Sequence, residues 1–159
     1  MRIVIVEDSP LLRDNLVRLL AAHPELCVVG SAAGEDGAFA LIEAQRPDTV
    51  LLDLSLSEGS GIGLLRRVRA TPGLAPRVVV LSSRSADPWE AVCREAGADV
   101  FLDKAEDTKV LLAQLASWMP PLPLDEPRRC RRLRQLQVLD TRPEPALDAI
   151  ARLAARIAE

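Results

Sequence analysis

IVIVEDSP, residues 3–10, is an apolar run that ends on two adjacent carboxylates, Glu7 and Asp8, and then on Ser-Pro. Neighbouring carboxylates repel and are costly to desolvate, so the pair calls for a partner elsewhere in the chain. The run has the continuous apolar character of a strand buried on both faces. Five short β-branched runs punctuate the sequence, four of them nearly continuous apolar stretches: RIVIV (2–6), LCVVGS (26–31), TVLLD (49–53), RVVVLS (77–82) and DVFLD (99–103). Between and after them lie segments with helical spacing, carried by Leu12, Leu16, Leu19 and Leu20; Ala38, Leu41 and Ile42; Ile62, Leu65 and Val68; Trp89, Val92, Cys93 and Ala96; and Leu111, Leu112, Leu115 and Trp118.

Strict β-α alternation with short connections predicts a parallel sheet covered by helices on both faces, because a parallel crossover needs a helix-sized connection. The expected fold class is therefore α/β, a five-stranded doubly wound parallel sheet in the order 2-1-3-4-5. In that order the first and third strands are neighbours whose connections leave toward opposite faces. A crevice then opens at their carboxyl ends.

The alternation stops at WMPPLPLDEP (118–127), whose four prolines cannot continue a helix. Charge changes there too: residues 1–118 hold 12 Lys/Arg against 17 Asp/Glu, whereas 119–159 hold 8 against 6. Three parts are expected, an α/β domain over 1–118, a Pro-rich linker over 119–127 and a helical extension over 128–159.

Composition narrows the function classes. With 48% hydrophobic residues and a net charge of -3, the chain can bury a core and does not present an overall polyanion-binding surface. No run of eighteen apolar residues could span a bilayer, and MRIVIVEDS has none of the regions of a signal peptide, so a cytoplasmic protein without membrane contact is expected. Cys27, Cys93 and Cys130 are odd in number and far apart, which favours reduced thiols over a disulfide framework or a zinc site.

Glu7 and Asp8 fall at the carboxyl end of the first strand, and Asp53 falls at the same end of the third. Three carboxylates converging on one crevice call for a divalent cation, and oxygen-only ligands suit Mg²⁺ or Mn²⁺. Ser82 closes the fourth strand and Lys104 follows the fifth. A carboxylate nucleophile, a cation, a hydroxyl and an ammonium are the parts of a phosphoryl-accepting site. Each part alone has a plainer explanation. Asp8 before Ser9-Pro10 could cap a helix, Asp53 could cap a turn, Ser82-Ser83 could be a polar loop and Lys104 a solvated charge. Their conjunction at strand carboxyl ends, where such folds bind ligands, favours the site.

In VEDS (6–9), LLDL (51–54), VLSS (80–83) and GADVFLDK (97–104), residues 1–118 resemble the receiver domains of two-component response regulators. The resemblance implies that Asp53 takes a phosphoryl group from a sensor histidine kinase or phosphotransfer protein. It also implies that Glu7, Asp8, Asp53 and the backbone carbonyl of Ser55 hold Mg²⁺, and that Ser82 and Lys104 contact phosphoryl oxygens. Phe101 matches the family's aromatic switch residue, which moves with Ser82; plain core packing is the alternative. Ser57 stands where the family usually has proline, suggesting a looser loop after Asp53, while Gly61 is retained. Arg84 sits where the family tunes dephosphorylation.

The implied function is a phosphoacceptor switch that relays its state to a C-terminal output region, not an enzyme beyond its own phosphorylation and dephosphorylation. The alternatives are a phosphate-independent interaction module and an aspartate-nucleophile phosphatase. The second is disfavoured because Ser55 stands where such enzymes carry a second acid.

In the tail, RRCRRLR (128–134) puts five arginines in seven residues but lacks interleaved aromatics, so a solvated helix face is favoured over nucleic-acid contact. The stretch RLRQLQVLDTRPEPALDAIARLAARIAE (132–159) resembles the opening of a GAF sensor domain. Two apolar edges, Leu133, Leu136 and Leu139, then Leu147, Ile150, Leu153 and Ile157, have no sheet to cover in the first domain, so a homodimer through 126–159 is expected.

Overall fold

The structure is a computed structural model. It describes residues 1–83, 86–104 and 108–119, the backbone alone at 86 and 87. Five strands and five helices alternate among these residues: β1 Arg2–Val6, α1 Pro10–Ala21, β2 Cys27–Ala32, α2 Glu35–Gln45, β3 Thr49–Asp53, α3 Gly61–Ala70, β4 Arg77–Ser82, α4 Ala86–Glu95, β5 Val100–Asp103 and α5 Thr108–Ser117. The chain separates into two units, Met1–Leu122 and Pro123–Glu159. The expected linker from 120 onward, the helical extension and the GAF-like opening lie outside the described residues, as does Arg84.

The strands form one parallel sheet in the order β2-β1-β3-β4-β5, as the alternation of elements implies. Successive side chains on a strand point to opposite faces, and here both faces are covered. Val4, Val6, Val50, Leu52, Val78 and Val80 pack with α2, α3 and α4 through residues such as Ile42, Leu65 and Cys93. Ile3, Ile5, Leu51, Val79 and Leu81 pack on the other side with Leu20 of α1 and Leu111 and Leu115 of α5. Right-handed crossovers dictate that division: the step from β1 to β2 runs opposite to the steps onward from β2, so α1 lands on the opposite face from α2, α3 and α4.

Strand ends differ slightly from those the apolar runs suggest. Leu26 precedes β2 because its N–H donates to the His23 carbonyl at 2.9 Å, completing a turn. Asp99 precedes β5, and its carboxylate accepts the Val78 N–H at 2.6 Å and the Arg69 guanidinium at 2.8 Å. Arg69 also donates to the carbonyls of Gly97 at 2.8 Å and Pro76 at 2.7 Å. One side chain thereby ties α3 to the entry of β5 and to the approach to β4.

Gly61 sets how closely α3 approaches β3. Its N–H donates to the Leu54 carbonyl at 3.3 Å, and a Cβ there would overlap the Asp53 carbonyl oxygen and lie 2.7 Å from Leu54 Cα. These are backbone atoms and cannot rotate away. Gly61→Ala should destabilise the chain by about 1–3 kcal/mol, the usual cost of forcing extra volume into a packed site; an unchanged urea midpoint would show that the approach is not tight.

Candidate functional site

Because the strand order reverses beside β1, the carboxyl ends of β1 and β3 lie side by side. Ile5 pairs with Leu51 and Val6 with Leu52, so Glu7 and Asp53 emerge at adjacent positions of the rim. One carboxylate oxygen each of Glu7, Asp8 and Asp53 lie within 4.8 Å of one another. Glu7 is 2% and Asp53 6% exposed, while Asp8 is partly open to solvent.

Two buried acids this close need compensation, and Lys104 supplies it. Its ammonium lies 2.8 Å from Glu7 Oε2 and 2.8 Å from Asp53 Oδ2. Burial pulls the Lys104 pKa down, but hydrogen bonds and charge from Asp53 and Glu7 outweigh it and hold the ammonium above its ordinary 10.5. Backbone donors take the remaining carboxylate oxygens: Ser9 N–H lies 3.2 Å from Glu7 Oε1, and Ser55 N–H 3.1 Å from Asp53 Oδ1. The Ser55 peptide therefore lies directly against the Asp53 carboxylate.

The plainer readings separate. Ser9, not Asp8, is the N-cap of α1, with Oγ accepting from Leu12 N–H at 3.5 Å and Pro10 in the first turn. The Asp53 carboxylate does accept a local turn hydrogen bond from Ser55, but it is also an ion-pair partner of Lys104. Lys104 is a partly buried bridge between acids and not a solvated charge.

Ser82 is 1% exposed at the end of β4, and its carbonyl accepts the Lys104 N–H at 2.8 Å. Phe101, paired with Val80 across β4 and β5, is half-buried against the core shared with α2, α3 and α4. Glu7, Asp8, Asp53, Ser55, Ser82 and Lys104 thus lie on the carboxyl-end rim, with Phe101 three residues back along β5. Two participants escape a sequence reading. Arg13 on α1 donates to the Glu7 carbonyl at 2.8 Å, and Glu35 grips the loop after Asp53, its Oε2 accepting the Ser60 N–H at 2.8 Å. Both act on backbone atoms, which leaves no motif; the only sequence signal is a charged side chain at a helix start.

The donor set is three carboxylates with neither histidine nor thiol among them, which fits a hard divalent cation such as Mg²⁺ or Mn²⁺. Against one ammonium the three acids leave a formal charge of two negatives.

The chain belongs to the response regulator receiver domain family, whose model matches residues 3–116. It is 31% identical over 113 residues to the nitrate/nitrite response regulator protein NarL of Escherichia coli, covering 71% of this chain and 52% of that protein. It is 44% identical over 113 residues to protein-glutamate methylesterase/protein-glutamine glutaminase 6 of Anaeromyxobacter dehalogenans, covering 67% of this chain and 30% of that one. Among solved structures, the BeF3-activated N-terminal receiver domain of Klebsiella pneumoniae RstA superimposes with a TM-score of 0.68 at 32% identity, covering 74% of this chain and 97% of that domain. The chain thus spans about half or less of the length of these curated relatives and nearly all of the solved receiver domain.

The ion pairs of Lys104 give the site a pH signature. A cation with a raised folded pKa contributes stability that is full below its ordinary value and is lost as pH rises through the folded one. Without metal, Lys104→Met should lower unfolding stability by roughly 1–3 kcal/mol, below the loss for a fully sealed pair because the lysine keeps some solvent contact. Urea unfolding at pH 8 and pH 11.5 checks it: the gap between variant and wild type should close only above 10.5. The chain has no tyrosine to confuse that range.

Proposed function

We propose that Asp53 is the phosphoacceptor of a two-component relay, taking its phosphoryl group from the phosphohistidine of a sensor kinase or phosphotransfer protein. The observation that carries this is the Lys104 ammonium, 2.8 Å from both Glu7 and Asp53 in a cluster of three acids. In the transfer, an Asp53 carboxylate oxygen attacks phosphorus as the bond to the donor imidazole nitrogen breaks, and the imidazole leaves with the electron pair. Glu7, Asp8, Asp53 and the Ser55 carbonyl would hold Mg²⁺ or Mn²⁺. Such a cation would neutralise phosphoryl oxygens, the charge that otherwise keeps an anionic donor from an acidic crevice.

The chain's own groups do the rest. The Ser55 N–H orients one Asp53 oxygen, and Lys104 lies on the other. Once the carboxylate is phosphorylated, the ammonium pairs with a phosphoryl oxygen and the Ser82 hydroxyl moves to a second one, with Phe101 turning inward. The output is this altered surface around β5 and its flanking helices. No turnover is proposed beyond self-phosphorylation and self-dephosphorylation. The chain covers 30% of the methylesterase relative, so that protein's named activity does not carry across.

Domain limits of 1–118, 119–127 and 128–159, with the last as the start of a GAF-like domain, remain part of the proposal. So do a cytoplasmic location, a homodimer through 126–159 and no nucleic-acid contact by this chain. Among the described residues no helix is long and apolar enough to cross a membrane. Sedimentation should show association at high concentration for this chain and not for one ending at Trp118; two equally monomeric species would remove the dimer.

Acetyl phosphate and Mg²⁺ should add one phosphoryl mass to the wild-type chain and none to Asp53→Asn. Labelling of the variant at the wild-type level would place the acceptor elsewhere.

A further inference from the structure

The loop after Asp53, residues 54–60, carries Ser55 and ends at Ser60, the N-cap of α3. Its base is closed where Gly61 N–H donates to the Leu54 carbonyl at 3.3 Å. Its outer limb is joined to the turn that opens α2. Gly34 and Glu58 form a parallel bridge, the Glu35 N–H donates to the Glu58 carbonyl at 2.9 Å, and Glu35 Oε2 accepts the Ser60 N–H at 2.8 Å.

The chemistry is that of a capping box split between two helices. Ser60 Oγ accepts the Gly63 N–H at 3.4 Å, as an N-cap does. In the usual box the side chain at this third helical position returns to the N-cap N–H. That position is Gly63, and the carboxylate comes instead from Glu35 on α2. Two glycines leave it room: a Cβ at Gly63 would lie 2.9 Å from Glu35 Oε2, and one at Gly59, where φ is +80°, would run into Glu35 Cβ. Ser57 leaves the loop backbone unconstrained before folding, so the loop's rigidity has to come from contacts such as these.

We infer that Glu35 is a positioning residue for the acceptor loop: by accepting the Ser60 N–H it fixes residues 54–60, and with them the Ser55 backbone, for divalent-cation binding beside Asp53. This deepens the phosphoacceptor reading and rests on it. Glu35 works through the loop, whose near end is the Ser55 peptide held 3.1 Å from Asp53 Oδ1.

Two substitutions in the full chain separate reach from charge. Glu35→Asp keeps the negative charge in the first turn of α2 but is one methylene too short to keep this bond. Glu35→Gln keeps the reach and an acceptor oxygen but not the charge. Titration with MgCl₂ by calorimetry should show about tenfold weaker binding for the Asp variant, the typical loss when a residue supporting metal ligands is removed. The Gln variant should stay close to wild type. Exchange of the Ser60 amide should accelerate in the Asp variant alone, with far-UV circular dichroism unchanged in both. Wild-type Mg²⁺ affinity in Glu35→Asp, or an equal loss in Glu35→Gln, overturns the inference. Asp8→Ala is the control on the site: if it too binds Mg²⁺ as wild type, the acidic site itself is wrong, whereas its loss beside an intact Glu35→Asp removes only the role of Glu35.

Discussion

The structure depends on keeping two buried carboxylates, Glu7 and Asp53, close together with one ammonium between them. Glu7 and Lys104 stand 97 positions apart in the chain, and their 2.8 Å contact requires the whole sheet to be in register. β1 must pair with β3, β3 with β4 and β4 with β5 before Lys104 can reach both acids. Leaving out one link would strand buried charge, which is costly because desolvation is then uncompensated. The electrostatics of the rim and the topology of the core therefore impose one arrangement on the chain.

That same arrangement explains why so much of the fold is legible in the sequence. A parallel strand covered on both faces has to be apolar at nearly every position, so TVLLD reads as a strand without any alternation, and all five of its residues are buried. The acids announce themselves because a polar group closing such a run is conspicuous. What stays hidden is anything exchanged between a side chain and a distant backbone atom. Arg13 on the Glu7 carbonyl and Glu35 on the Ser60 N–H leave no spacing pattern. Asp8 looks like the helix cap, yet Ser9 takes the cap, because either residue satisfies the composition rule and only the backbone at Ser9, extended with ψ of 114°, decides.

Ser57 shows the same limit from the other side. Without proline at that position the loop after Asp53 reads as loosened, since nothing local restricts its backbone. The fold restrains it from outside, with the Gly34–Glu58 bridge and the Glu35 carboxylate on one limb and Gly61 at the base. Local sequence measures only how much freedom a loop has to lose; the contact that removes it at Ser60 comes from Glu35 at the start of α2, 25 positions away in sequence.

A switch also needs its chemistry coupled to a surface, and in the proposed mechanism the carboxyl ends of β4 and β5 would supply the mechanical link. The Lys104 N–H donates to the Ser82 carbonyl at 2.8 Å, so the proposed phosphoryl contacts are joined by backbone as well as by charge. In the proposed phosphorylated state Lys104 gives up Asp53 Oδ2 for a phosphoryl oxygen, and Ser82, 1% exposed, cannot shift without its neighbours. Phe101 is the proposed responder: it is only half-buried, three residues before Lys104, and packed on the same core as Val80. In the proposed switch, a β4 buried at every position after Arg77, beside a less buried β5, would let a charge added at Asp53 alter the protein's surface without unfolding its core.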